Sequence, residues 1–185
     1  MIFTIVILLL ITAILYFTYA GVIRTRNTLD EALSGIDVQL KQRADLIPEI
    51  LTLAQKFMKH EKEIFTEITK LRTEAMKAPV GTAKRFELEG KLQHQMRQLS
   101  ITMENYPDVK SGTPIEEAMS TYRDVEGNIA AARRFYNAAL KDLKNKIQIF
   151  PGSLFASYAG DISELTYFQA TEEDKKKVQV SDYLK

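Results

Sequence analysis

The chain has 185 residues, 25 Lys and Arg against 24 Asp and Glu, and a formal net charge of +1. That balance provides no basic footprint for a nucleic acid, so no nucleic-acid partner is expected. The lack of cysteine excludes a disulfide framework and a thiol nucleophile, and it fits a reducing compartment without requiring one.

Charge begins only at Arg24, because Met1 to Ile23 carry no charged side chain. A helix of that length reaches ~35 Å at ~1.5 Å per residue, against a hydrocarbon core of about 30 Å. The stretch 1–23 is therefore predicted to be a transmembrane anchor, with membrane lipid as its surroundings. The rival is a cleaved signal peptide, for which Thr18-Tyr19-Ala20 is a passable cleavage site. Against it, no basic residue precedes the apolar run, which is longer than a signal core. Tyr16 and Tyr19 fit an interfacial aromatic belt, and Arg24 and Arg26 place the rest of the chain in the cytoplasm by the positive-inside bias. The alternative is an extracytoplasmic cargo.

Beyond the anchor the apolar spacing is helical. Leu29, Leu33, Ile36, Leu40, Ile47, Ile50, Ala54 and Phe57 recur at threes and fours, Arg43 being the polar interruption, and Ile64, Ile68, Leu71 and Ala75 prolong the stripe. Anchor and first helix are predicted to be continuous. Pro48 predicts a kink renucleated by an Asp45 cap, with a reversal of direction as the alternative. Residues 78–82 form the first clear loop. A second stripe runs through Leu88, Leu92, Met96, Leu99 and Met103, and residues 107–113 form the next loop. Thr113-Pro114-Ile115-Glu116 reads as a capped helix start. The helix it opens should run about 35 residues, to a stop at Phe150-Pro151-Gly152. Ala130, Ala131, Ala132, Ala138 and Ala139 would let a neighbouring helix approach closely.

Long single-stripe helices must pack on one another. The expected fold is all-α: a transmembrane helix (1–23) continuing into an antiparallel bundle of three to four long helices (24–160). The tail (161–185) should pack back on that bundle, since the aromatics from Phe155 to Phe168 need cover.

The catalytic inventory is thin. There is no phosphate loop and no nucleophile elbow. His60-Glu61 opens like a zinc-protease motif but lacks the second histidine, and His94 has no glutamate three residues before it. Neither a metal nor a cofactor is expected, and the charge run 172–177 reads as a solvated face. In the polar cluster Asp37, Gln39, Lys41, Arg43 and Asp45, Arg43 falls on the apolar stripe. A partly buried pair with Asp37 is expected there, either to fix registry or to serve a ligand or partner.

These residues resemble the LemA family. The resemblance is carried by Arg26-Asn27, by Ser34 to Pro48 with Asp37, Gln39, Arg43 and Asp45, by His60-Glu61-Lys62-Glu63, and by Tyr106-Pro107-Asp108. Toward the C-terminus it is carried by Arg134-Phe135-Tyr136-Asn137 and Ile149-Phe150-Pro151, with Ala156 after them. Leu33 departs from the pattern, standing where the family commonly has tryptophan, and beyond Gly160 the match is loose. The resemblance implies a four-helix bundle on a bacterial inner-membrane anchor, without established enzymatic activity. Family members are often encoded near a membrane zinc protease, and a relative acts in magnetosome membrane formation. The expected function is a non-enzymatic scaffold, coiled-coil-like in its helices, that forms a homo-oligomer at the membrane. An adaptor of a membrane protease and a membrane-shaping protein are the alternatives.

Overall fold

The computed structural model describes residues 1–106, 109 and 114–169, and no strand occurs among them. Four α-helices follow in order: α1 Ile2–Gln55, α2 Lys62–Lys77, α3 Ala83–Met103 and α4 Pro114–Gln148. A 3-10 helix, Gly152–Ala159, begins the tail. The fold is all-α, and the apolar segment 1–23, the expected anchor, continues into the first bundle helix as one unbroken helix of 54 residues. Every residue from Met1 to Ile14 is exposed, and full burial begins at Val22. By length and composition this N-terminal helix can cross a membrane.

Helix α1 also passes through Pro48 without a break. The expected Asp45 cap does not form; Asp45 lies in mid-helix and pairs with Lys41 on the surface at 2.9 Å. Proline lacks the N–H that would have bonded the Ala44 carbonyl one turn earlier. Arg72 of α2 takes that role, its Nε donating to the Ala44 oxygen at 2.6 Å. A donor from the neighbouring helix thus satisfies the carbonyl that Pro48 orphans.

The reversal of direction comes later. The stripe through Ile64, Ile68, Leu71 and Ala75 does not prolong α1 but belongs to α2, after a turn at 56–61 that contains neither Gly nor Pro. Met58 anchors this turn, fully buried in one cluster with Ala54 and Phe65. The amides of Phe57 and Met58 both donate to the Ala54 carbonyl, at 3.0 and 2.9 Å, tightening the end of α1. Thr82 caps α3, its hydroxyl accepting from the Arg85 amide at 3.3 Å. Pro114 opens α4 as expected, and the helix has 35 residues. The Thr113 cap and the charge run 172–177 lie outside the described residues.

Helix lengths then divide the bundle. With 16 and 21 residues, α2 and α3 are about 24 and 31 Å long, whereas α4 is about 52 Å. In the section far from the anchor all four helices share one core, including Ile47 and Ile50, Ile68, Leu92 and Met96, and Ile115. Nearer the anchor α1 and α4 face each other through Leu29, Ala32, Tyr136, Leu140 and Leu143. There the tail replaces the missing helices, covering the pair with Phe155, Ile162, Leu165 and Phe168. Of the alanines expected to allow a close approach, Ala139 is buried and Ala132 half-buried against the core, while Ala130, Ala131 and Ala138 are exposed. Gly152 allows the tail its sharp return, since a Cβ there would lie 1.9 Å from the Lys146 carbonyl oxygen.

Candidate functional site

Where the four-helix section ends, charges are buried. The Arg43 side chain is fully covered, and its guanidinium reaches two helices at once: Glu126 of α4 at 2.5 Å and Glu89 of α3. Glu89, also buried, shares its second oxygen with Arg85 at 2.6 Å, and Arg85 donates to the Ala78 carbonyl just past α2 at 3.0 Å. The centre therefore ties α1, α3, α4 and the end of α2 together. Burial works against the Arg43 charge, but the neighbouring acidic groups Tyr122, Glu126 and Glu89 outweigh it and hold its pKa above the ordinary value. Burial also holds the Tyr122 phenol well above the usual tyrosine range, against the pull of Arg43 and with the help of Glu126 and Glu89.

The expected Arg43–Asp37 pair is absent, and Asp37 is exposed. Six residues of helix turn the side chains roughly 120° apart, so the two cannot meet. The partners come instead from α3 and α4. Arg85 and Glu89 occupy stripe positions with Leu92, Met96 and Leu99, and charges on an apolar stripe were the available signal.

A second constellation closes the tail. Asn137 brackets the backbone of Phe168: its Nδ2 donates to the Phe168 carbonyl and its Oδ1 accepts from the Phe168 amide, both at 2.9 Å. The Tyr136 hydroxyl donates to the Thr166 carbonyl at 2.9 Å, and burial, then Tyr167, pushes its pKa up to about 12. The Phe168 ring stacks on Phe86 and lies under the Arg133 guanidinium, 4.8 Å from the ring centre. The Thr166 amide donates to the carbonyl of Gly81 at 3.0 Å; Gly81 has φ 90°, a left-handed conformation suited to glycine. Leu33 packs half-buried in this region. Nearer the anchor, Arg26 donates to the Ala159 carbonyl at 2.8 Å and pairs with Asp30 at 2.9 Å.

The predicted residues thus separate by role. Arg26, Arg43, Tyr136 and Asn137 hold the fold, and Glu61 accepts from the Tyr106 hydroxyl at 3.0 Å. Gln39 and Pro151 are half-buried, and Asp45 and Pro48 lie on the outer face of α1. Asn27, Asp37, His60, Phe135 and Phe150 are exposed and unused by the interior.

An apolar stem helix, a bundle plugged by a buried arginine and a clamped tail define a stem-borne four-helix protein. The LemA family model matches residues 32–181, and the chain belongs to the LemA family. It is similar to Protein LemA of Metamycoplasma hominis, with 25% identity over 184 residues, covering 97% of this chain and 84% of that relative.

Proposed function

We propose that the protein is a membrane-anchored, non-enzymatic helical scaffold that associates with further copies of itself, its bundle on the cytoplasmic side. The observation that carries this reading is α1, which takes a wholly exposed apolar segment into the bundle without a joint. Such a stem orients its cargo as well as tethering it. The tail occupies the stripe that helix length alone would leave open between α1 and α4, so association would use the anchors and the exposed positions of α1 and α4. Because the chain has no cysteine, Asp37→Cys or Phe135→Cys introduces a single thiol. Disulfide-linked dimers in oxidised membranes are the expected result; a protein that stays monomeric there, and monomeric by mass in detergent, would overturn the proposal.

A second reading, an adaptor for a membrane protease, is favoured by the motif residues that the fold leaves outside. Its contact surface would include Asn27, Asp37 and Phe135 rather than Arg43, which is wholly buried. Pull-downs from membranes comparing wild type with Phe135→Ala should lose a partner, and an unchanged partner set counts against this reading.

A further inference from the structure

Ile149, Phe150, Leu154 and Tyr158 are large and apolar, yet they are 65, 76, 60 and 55% exposed. They fall within ten residues of one another at the anchor end of the bundle. An exposed cluster of this kind marks a contact surface. Its height along α1 is known from its neighbours. The rings of Phe155 and Tyr158 meet Tyr19 at 5.8 and 5.1 Å, and Ile149 and Phe150 line one cavity with Thr18 and Thr25. The patch is therefore level with residues 18–25 of α1.

The place where charge begins decides what covers it. The uncharged run reaches Ile23, and the first charged side chain is Arg24. A bilayer that houses this run meets its interfacial layer around residues 21–24, the level at which the patch lies. Basic groups follow at the same height or just beyond: the Lys146 side chain reaches the backbone of Gly21, and Arg24 is exposed. Exposed apolar side chains with flexible cations beside and just beyond them are a combination suited to a lipid interface.

We propose that residues 149–158 form a second membrane contact, a foot whose exposed side chains enter the interfacial layer of the leaflet that the anchor crosses on the bundle side. The occupant of the patch is lipid. The foot gives the bundle two points of attachment, so its tilt is set by the 3-10 helix as well as by α1. This inference rests on the reading of Met1 to Ile23 as a membrane anchor.

The chain contains no tryptophan, so one introduced indole reports on one place. Full-length protein with Phe150→Trp, and separately Leu154→Trp, is reconstituted in phosphatidylcholine–phosphatidylglycerol vesicles carrying bromine on the acyl chains. Leu9→Trp serves as the anchor reference and Ile101→Trp, exposed on α3, as the remote one. Either foot reporter should lose about half of its emission to bromine at the upper acyl carbons, while Ile101→Trp keeps its own. If Leu9→Trp is quenched by deep bromine and neither foot reporter is quenched, the foot is refuted and the anchor stands. Foot emission that shifts to the blue without quenching places protein over the patch and refutes lipid as its occupant. An unquenched Leu9→Trp refutes the anchor and the foot together, and quenching of Ile101→Trp as well refutes a contact confined to the foot.

Discussion

The two sections of the bundle use the same pair of long helices and close them by different physics. Far from the anchor, the α2–α3 hairpin completes a four-helix core, with Arg43, Glu89, Arg85 and Glu126 at its inner end. Near the anchor, a tail with no α-helix among its described residues does the covering, held by aromatic contacts and by separate side-chain bonds to its backbone from Tyr136, Asn137 and Arg26. A buried charge loses its hydration and depends on every partner at once. Separate bonds to backbone can be lost one at a time. The first section should therefore fail as a unit and the second locally.

The largest test of that contrast is Arg43→Ala, which leaves Glu126 without its counter-charge and Glu89 with Arg85 alone. A loss of about 3–5 kcal/mol in stability is expected, read from denaturant unfolding. Adding Glu126→Gln should recover part of it, because the uncompensated carboxylate is then gone while Glu89 keeps Arg85. A single variant as stable as wild type would refute the ionic centre as the linchpin of the seam.

Asn137→Ala removes both bonds to Phe168 and should cost about 1–2 kcal/mol. The discriminating observable is where protection from hydrogen exchange is lost. The Phe168 amide should open while those of α2 and α3 keep wild-type rates; uniform loss would mean that the two sections are not separable.

Alkaline pH acts next. The Tyr136 phenol titrates near 12 in the folded chain against an ordinary 10.0, so the folded state keeps a proton that the unfolded chain releases. Its contribution is complete below about pH 10 and is lost as pH rises through about 12. Circular-dichroism melts should fall over that window, and Tyr136→Phe should flatten the decline. An equal slope in the variant would assign the effect to other groups.

The smallest effect belongs to the exposed Lys41–Asp45 pair, whose side chains are 66 and 53% accessible. Lys41→Ala should stay within about 0.5 kcal/mol of wild type by the same unfolding measurement. A larger loss would show that the outer face of α1 contributes to the seam.

Much of this was legible in the chain. The apolar run, the helical stripes and the Pro114 helix start each express a local preference, and the structure carries all three. The turn at 56–61 was not legible. It has no Gly or Pro, and its apolar spacing stays in phase; Met58 sits in the core, which only packing can reveal. Pro48 misleads in the opposite sense, because Arg72 answers the orphaned Ala44 carbonyl from 28 residues away in the sequence.

The sequence by itself determined that the protein is helical, that it begins with an apolar segment of membrane-spanning length, and that Arg43 interrupts an apolar face. Those properties follow from periodicity and side-chain polarity, which act over one or two turns. Only the tertiary structure decided that Arg43 pairs with Glu89 and Glu126 rather than Asp37, and that Asn137 and Tyr136 receive the tail. Charges and hydrogen-bonding groups choose partners by distance in space, and in a bundle that distance is set by helix lengths and reversals.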